Sequence, residues 1–490
     1  MRRTLLVASV FFLLLAAPAR AGGPSLILGV AEDDINSTSF VQAKTNLTIA
    51  RLAGFDSIRV TSVWWPEYEA VPPDREIGRL GNIVRAARMN GMRVFLVVFH
   101  NGSATTPLTE KDQLDFASYT AEILLRIPSI RDVIIGNEPN LNRYWLPQFA
   151  EDGSSVAPQA YETLLARTYD AVKAAAPRAR VIGGALSPRG TDEPFGIRPN
   201  HSPTTFIREL GLAYRASGRT IPIMDQFAIH PYQDSSSQSP TTRHTTSRTI
   251  TIADYPKLVR LLGEAFDGTP QPGSTMPIVY GEYGVEGIIP ESHARHYEGT
   301  EASTTRPVPE RTQAAYYRQA LGLAFCQPTV RAMFIFHLWD ERNLNRWQSG
   351  LYYANRTPKS ILGPVRKALK ESRRGVLARC PGLELPVRVR AFFGGAAKLA
   401  RARPLAFRLA CNLDCSYVAT LESLPGGKAM SVVRGRVVGR TVKRIRFPAR
   451  RLRPGRYRLR VSAAAAVNPA PPVLLSSPVF ALRAPPPPAR

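Results

Sequence analysis

Residues 93–99, RVFLVVF, form an uninterrupted apolar run rich in β-branched and aromatic side chains. Such a run, bounded by turn residues, is typical of a strand buried on both faces of a parallel sheet. A polar turn follows it, and then a segment in which apolar residues recur with helical spacing as far as Leu125. These residues are therefore predicted to form one strand and helix unit.

The same unit recurs along most of the chain. Helix start signals accompany it, with Thr109 followed three residues later by Asp112, and Pro158 opening a helix that runs toward Ala176. Eight alternating pairs within one domain favour an α/β fold of the closed (β/α)8 TIM barrel type. The predicted strands are residues 26–30, 56–60, 93–99, 132–136, 180–184, 224–229, 277–281 and 331–336.

An open, doubly wound sheet is the structural alternative to the barrel. That fold places a Gly-rich phosphate-binding turn after its first strand. Here the first strand leads into the acidic residues Glu32, Asp33 and Asp34, which argues against it. Long loops at residues 233–252 and 286–310 are expected to build a binding surface at one mouth of the barrel, with disorder as the alternative.

The chain divides into four predicted parts. Residues 1–21 carry a basic start, an apolar run and a small-residue cleavage site, which indicates a secretory signal peptide and a secreted, extracellular protein without a membrane span. An uncleaved N-terminal tether is the alternative. The barrel is assigned to residues 22–380. Residues 381–483 alternate with period two and predict an immunoglobulin-like β-sandwich, and 484–490 a Pro-rich tail.

Within the predicted sandwich, five segments have the alternation of strands. They are residues 387–393, 405–411, 417–422, 432–447 and 456–461.

Four cysteines in an exported protein are expected to be paired. Cys411 with Cys415 would close a hairpin, and Cys326 with Cys380 would tie the end of the barrel domain together. Four free thiols are the alternative.

The net charge of +26 is concentrated near the C-terminus. Residues 381–490 contain 21 Lys and Arg against three acidic residues, leaving +18 in that part. A solvated strand face and attachment to an anionic cell-surface polymer are both compatible with this pattern, whereas no motif for specific nucleic-acid binding accompanies it. The arginines in question are Arg408, Arg444, Arg446, Arg450, Arg451, Arg453, Arg456, Arg458 and Arg460.

Two glutamates follow predicted strands of the barrel. IIGNEPN, residues 134–140, places Glu138 after the fourth strand, and VYGEYG, residues 279–284, places Glu282 after the seventh. The carboxyl ends of all barrel strands meet at one mouth, so both carboxyl groups are expected there. Two such groups about 5 to 5.5 Å apart are what glycoside hydrolysis with retention requires.

With these motifs the barrel, about three quarters of the chain, resembles the clan A glycoside hydrolases, families 5 and 39 in particular. The resemblance implies that Asn137 and Glu138 form the acid/base pair, that Glu282 is the nucleophile, and that an oligo- or polysaccharide is the substrate. It implies neither a cofactor nor a metal. The pair His293 and His296 has a spacing that metals use, but no zinc motif accompanies it.

Further positions of the resemblance fall in order along the chain. Arg59 is expected to hold Glu282 ionised and Tyr232 to donate a hydrogen bond to it, while the nearby charge keeps Glu138 protonated near neutral pH. Asn137 is expected to bind the sugar 2-hydroxyl.

Histidines and tryptophans complete the expected site. His100 and His230 would bind sugar hydroxyls or support the carboxylates, and Trp339 would offer a stacking face for a sugar ring. Further subsites are expected from Trp64, Trp65 and Trp145.

A glycan-binding barrel without catalysis and a surface-adhesion protein are the rival functions.

Overall fold

The computed structural model describes residues 22–35, 37–396, 399, 404–448 and 453–482. The predicted signal peptide at 1–21 and the Pro-rich tail at 484–490 lie outside the described residues, as do Arg450 and Arg451.

The first domain is a closed barrel of eight parallel strands. Strand order follows the chain, and the first strand pairs with the eighth through a register that joins Gly29 to Phe334. The predicted (β/α)8 barrel is therefore confirmed. The strands are β1 Ile27–Ala31, β2 Ser57–Trp64, β3 Arg93–His100, β4 Asp132–Ile135, β5 Arg180–Leu186, β6 Gln226–Ile229, β7 Ile278–Tyr283 and β8 Val330–Phe336.

Eight helices cover the outside of the barrel. The Thr109 side chain accepts a hydrogen bond from the Asp112 amide at the start of α3, as the sequence predicts. Pro158 lies in the first turn of α4. The helices are α1 Phe40–Ala53, α2 Asp74–Met89, α3 Glu110–Arg126, α4 Ala157–Ala175, α5 Pro203–Ala216, α6 Tyr255–Phe266, α7 Glu310–Cys326 and α8 Leu362–Arg373.

Side chains fill the interior of the barrel, and a cluster of ion pairs closes its amino end. Phe95 and Phe334 meet edge to face inside it at 4.9 Å between ring centroids. Asp132, fully buried at the start of β4, forms ion pairs with Arg93, Arg180 and Arg331 at the amino ends of β3, β5 and β8. This closes the amino end, so an open site has to lie at the carboxyl ends of the strands.

The C-terminal domain contains two antiparallel sheets. One has the order β13-β10-β9; the other has the order β12-β11-β14-β15, with β16 pairing β14. The prediction of a C-terminal β domain is confirmed. The strands are β9 Val389–Phe392, β10 Ala406–Cys411, β11 Cys415–Leu424, β12 Ala429–Val437, β13 Val442–Arg446, β14 Gly455–Ala465, β15 Val473–Ser476 and β16 Phe480–Leu482.

One predicted segment of this domain is wrong. Residues 432–447 do not form a single strand, since β12 ends at Val437 and β13 begins at Val442, in the other sheet. Arg440 between them has a positive φ of 62° and its amide donates to the Cys411 carbonyl. The alternation continues through this turn because both strands have one buried face, so the pattern alone could not reveal the change of sheet.

An ion pair links the two domains at their boundary, and each domain contains one disulfide. Both predicted disulfides, Cys326–Cys380 and Cys411–Cys415, are present. Arg374, just after α8, forms an ion pair with Asp414 between β10 and β11. Among the described residues, no helix combines the length and apolarity needed to cross a membrane.

Candidate active site

The two glutamates lie where the barrel strands end. Glu282 is the fifth residue of β7, and Glu138 follows β4 by three residues. Glu138 has a φ of 45°, a left-handed conformation that non-glycine residues rarely adopt, and its amide donates to the Ala185 carbonyl at 2.9 Å. Such conformations persist where surrounding structure holds them and are common at functional sites.

His230, after β6, bridges the two carboxyl groups. Its Nδ1 is 3.1 Å from Glu138 Oε1 and 3.5 Å from Glu282 Oε2, which places those two oxygens within 6.6 Å of each other. Nδ1 donates to Glu138 when that carboxyl group is ionised, and it can accept from Glu138 when the carboxyl group is protonated. This upper bound on the oxygen separation includes the roughly 5 to 5.5 Å of retaining enzymes and reaches only the lower end of the roughly 6.5 to 9.5 Å of inverting enzymes.

Glu282 is held as an anion. Arg59 Nη1 lies 2.9 Å from Oε1, and the Tyr232 hydroxyl donates to Oε2 at 3.0 Å, so both predicted contacts are present. Burial alone would raise the pKa of Glu282, but His230, Arg59 and the bond from Tyr232 outweigh it and lower the pKa below its usual value. A charged, oriented carboxylate is what a nucleophile requires.

Glu138 has a different environment. His230 is the one hydrogen-bond partner of its carboxyl group among the described residues, and no arginine contacts it. The two carboxyl groups therefore differ in how strongly their surroundings stabilise charge. Such a difference is what separates an acid from a nucleophile in a carboxyl pair.

Asn137 and His100 occupy different positions relative to this pair. Arg59 Nη2 donates to Asn137 Oδ1 at 3.4 Å, so Asn137 is part of the cluster. His100 is buried, its Nδ1 donates to the Gly102 carbonyl and its ring packs against Trp145. Burial lowers the pKa of His100 to about 4, which leaves Nε2 a neutral acceptor, and no contact with either glutamate is found among the described residues.

The tryptophan predictions require correction. Trp64 and Trp145 are 1% exposed and Trp339 is 3% exposed, while the Arg356 guanidinium lies 4.6 Å from the ring centre of Trp339. These three rings belong to the hydrophobic core, so they offer no open face to a sugar. Trp65 is half-buried beyond the end of β2.

A different tryptophan lies beside the nucleophile. Trp347, half-buried in the loop after β8, stacks on Tyr232 with 4.7 Å between ring centroids and meets Phe336 edge to face at 5.4 Å. Trp347 is not among the residues predicted from the sequence, because a lone tryptophan in a long loop has no strand register to orient it.

A cavity of about 330 Å³ opens next to this aromatic wall. Tyr232, Tyr283 and Trp347 form its apolar side, and the polar side comes from both long loops, as expected of them. The polar lining residues are Arg189, Gln233, Asp234, Ser235, Ser236, Gln238, Glu286, Thr304 and Thr305.

A charged residue, His337, was also not predicted to belong to the site. His337, after β8, donates from Nδ1 to the Ala31 carbonyl, and its Nε2 lies 3.4 Å from Glu341. Burial works against its charged form, but Glu341 and Glu32 outweigh it and raise the pKa of His337 to about 9. Its positive charge in turn lowers the pKa of Glu282.

The described residues contain no group of three or more His, Cys, Asp and Glu side chains arranged to hold a metal. The His293 ring stacks on Tyr353 at 3.8 Å.

No family model matches the sequence, and no curated protein matches it. Solved structures do match. They include a family 39 glycoside hydrolase from Bacteroides cellulosilyticus, with 15% identity, a TM-score of 0.49 and coverage of 86% of this chain and 81% of that one. A GH5_18 protein from Streptomyces cattleya has 16% identity, a TM-score of 0.48 and coverage of 72% and 81%.

A third match is an exo-β-1,4-mannosidase from an Opitutaceae bacterium, with 15% identity, a TM-score of 0.44 and coverage of 72% of this chain and 60% of that one. These structural neighbours are glycoside hydrolases, and families 5 and 39 are the ones that the sequence motifs resemble. At such low identity the function of this chain depends on the geometry of its own site.

Proposed function

We propose that this chain is a secreted retaining glycoside hydrolase that cleaves O-glycosidic bonds, with Glu138 as general acid/base and Glu282 as nucleophile. One observation carries the proposal: two carboxyl groups within 6.6 Å share His230, and only Glu282 is held by an arginine and a tyrosine. A β-linked glycan or glycoside is the proposed substrate.

The reaction proceeds in two displacements. Glu138 donates its proton to the leaving oxygen while Glu282 attacks the anomeric carbon, which forms a glycosyl ester on Glu282. Esterification removes the negative charge of Glu282, so Glu138 then acts as a base. It takes a proton from water, the resulting hydroxide attacks the anomeric carbon, and the ester bond breaks with net retention.

Hydrolysis of a panel of aryl β-glycosides and polysaccharides tests this proposal. Glu282→Gln is expected to lose at least about 10³-fold in kcat for every substrate. Glu138→Gln is expected to keep the glycosylation rate for aryl groups that leave without protonation and to lose it for poor leaving groups. Glu151→Gln, which removes an exposed carboxylate from the loop after β4, is the matched control.

The alternative is a barrel that binds glycans without cleaving them. Binding of an oligosaccharide by the wild-type chain, with no product formed from any member of the panel, would establish that alternative. Release of the inverted anomer first, observed by NMR during turnover, would refute the retaining mechanism.

We also propose that the C-terminal domain attaches the protein to an anionic cell-surface polymer. Arg408 on β10 lies directly opposite Arg444 on β13, and both are exposed. Like charges in such a cross-strand pair repel, and an anionic ligand would relieve that repulsion. Replacing both by glutamine is expected to weaken salt-sensitive retention on a polyuronate column, and unchanged retention would refute this role.

Secretion rests on the predicted signal peptide. N-terminal sequencing of the protein from the culture medium of an expressing cell is expected to start at Gly22. Recovery of the chain from the cytoplasm alone, with residues 1–21 intact, would refute secretion.

A further inference from the structure

The cavity beside the nucleophile contains a carboxyl group that the proposed mechanism does not use. Glu286 lies four residues beyond Glu282 and lines the same cavity as the stacked rings of Tyr232 and Trp347. It is 7% exposed. A sugar unit that stacked on Trp347 in this cavity would share the cavity with this acidic group.

Glu286 is poorly satisfied by the protein. The one hydrogen bond found for its carboxyl group among the described residues is long, 3.4 Å from the Gln348 backbone amide to Oε2. Burial raises the pKa of this carboxyl group to about 7. A buried carboxyl group with so few partners is costly unless a ligand supplies the missing donors.

Among the described residues no cation forms an ion pair with this carboxyl group, although the charge of Lys359 is close enough to lower its pKa. Lys359 lies 2.8 Å from Asp340, and Arg189 is directed to the Gln233 carbonyl and Asp234. Glu301 adds a second carboxyl group nearby, and its buried Oε1 has no hydrogen-bond partner among the described residues. This part of the cavity is therefore acidic, although the chain as a whole is strongly basic.

We propose that Glu286 binds the ammonium group of an amino sugar in this cavity, so that the substrate is a glycan containing unacetylated amino-sugar units. The inference rests on the proposed glycosidase function and names its substrate class. The ammonium group supplies the charge-assisted donors that Glu286 lacks, while Trp347 stacks against the apolar face of the same ring. Acetylation removes that charge, so an N-acetylated unit forfeits this contact.

Calorimetric binding to the full chain carrying Glu282→Gln, which prevents turnover, tests the inference. The probes are tetramers of β-1,4-linked glucosamine, N-acetylglucosamine and glucose at pH 7. We expect glucosamine tetramer to bind about tenfold or more tightly than the other two, as one charge-assisted hydrogen bond allows. Adding Glu286→Gln is expected to bring the ratio close to one, whereas adding Glu151→Gln leaves it unchanged.

Equal affinity of the three tetramers in the chain with Glu286 intact would overturn the inference, and this comparison does not depend on how the Glu286 variant folds. A tenfold preference that survives Glu286→Gln would also overturn it. The proposed function fails separately: a chain that prefers the amino-sugar tetramer but hydrolyses no glycoside would support this inference and refute the enzymatic assignment.

Discussion

The hydrogen bond from Tyr232 to Glu282 provides a direct test of how the site keeps its nucleophile charged. Tyr232→Phe removes a donor 3.0 Å from Oε2 and retains the ring that stacks on Trp347. A hydrogen bond to a charged group contributes about 1.5 to 3 kcal/mol, so kcat/KM is expected to fall about 10- to 100-fold. Because this bond lowers the pKa of Glu282, its loss raises that pKa and moves the acidic limb of the pH profile to higher pH.

The assay is kcat/KM for an aryl β-glycoside measured from pH 4 to 9. Tyr280→Phe is the matched control. It removes a buried hydroxyl on the same strand as Glu282, and that hydroxyl donates to Gln327 at 2.7 Å rather than to Glu282. The control is expected to lower thermal stability and leave the pH profile in place. If Tyr232→Phe lowered activity without moving the acidic limb, or if Tyr280→Phe moved it equally, the electrostatic reasoning would be wrong.

Three further predictions concern stability. Replacing Cys326 and Cys380 by alanine is expected to lower the free energy of unfolding by about 4 kcal/mol, because the bridge spans 54 residues. Urea titrations measure this loss, and a loss below about 1 kcal/mol would contradict the prediction. Asp132→Asn leaves three arginines without their buried partner and is expected to cost about 3 to 5 kcal/mol. The wild-type ion pairs outweigh burial and lower the pKa of Asp132. The stability that these ion pairs contribute is therefore present above pH 3.8, the usual pKa of aspartate, and is lost as the pH falls below it. Thermal melts at falling pH should accordingly show a smaller loss of stability for Asp132→Asn than for the wild-type chain. Burial raises the pKa of Glu32 from 4.5 to about 7, so the stability that is present below pH 4.5 is lost as the pH rises toward 7. Glu32→Gln is therefore expected to flatten the fall in Tm between pH 5 and 8. An equally steep fall in the variant would refute this prediction.

The positions of the two glutamates could be predicted because they depend on strand order. Each follows an apolar run that had to be a barrel strand, and strand ends of one kind share one mouth. The expected contacts of Arg59 and Tyr232 with Glu282 came from the family resemblance and from the chemistry of their side chains. The disulfides followed from the even number of cysteines and their spacing along the chain.

The tryptophans show where this reasoning fails. Trp64 lies at the end of β2, yet it faces the layer between strands and helices, where its indole donates to the Glu69 carbonyl and packs on Phe116. Trp347 lies in a loop that has no periodicity, yet its ring is half-buried and lines the cavity. Position along the chain did not distinguish them because burial depends on what packs above each side chain.

The sequence by itself determined the alternation of strands and helices, the mouth of the barrel at which Glu138 and Glu282 lie, and the concentration of arginine near the C-terminus. Those properties depend on short-range periodicity and on composition, which can be determined for each segment without knowing its tertiary contacts. Only the tertiary structure decided that His230 lies between the two glutamates and that Glu286 lines a cavity together with Tyr232 and Trp347. Those properties depend on distances of a few ångströms between loops far apart in the chain, which local patterns do not encode.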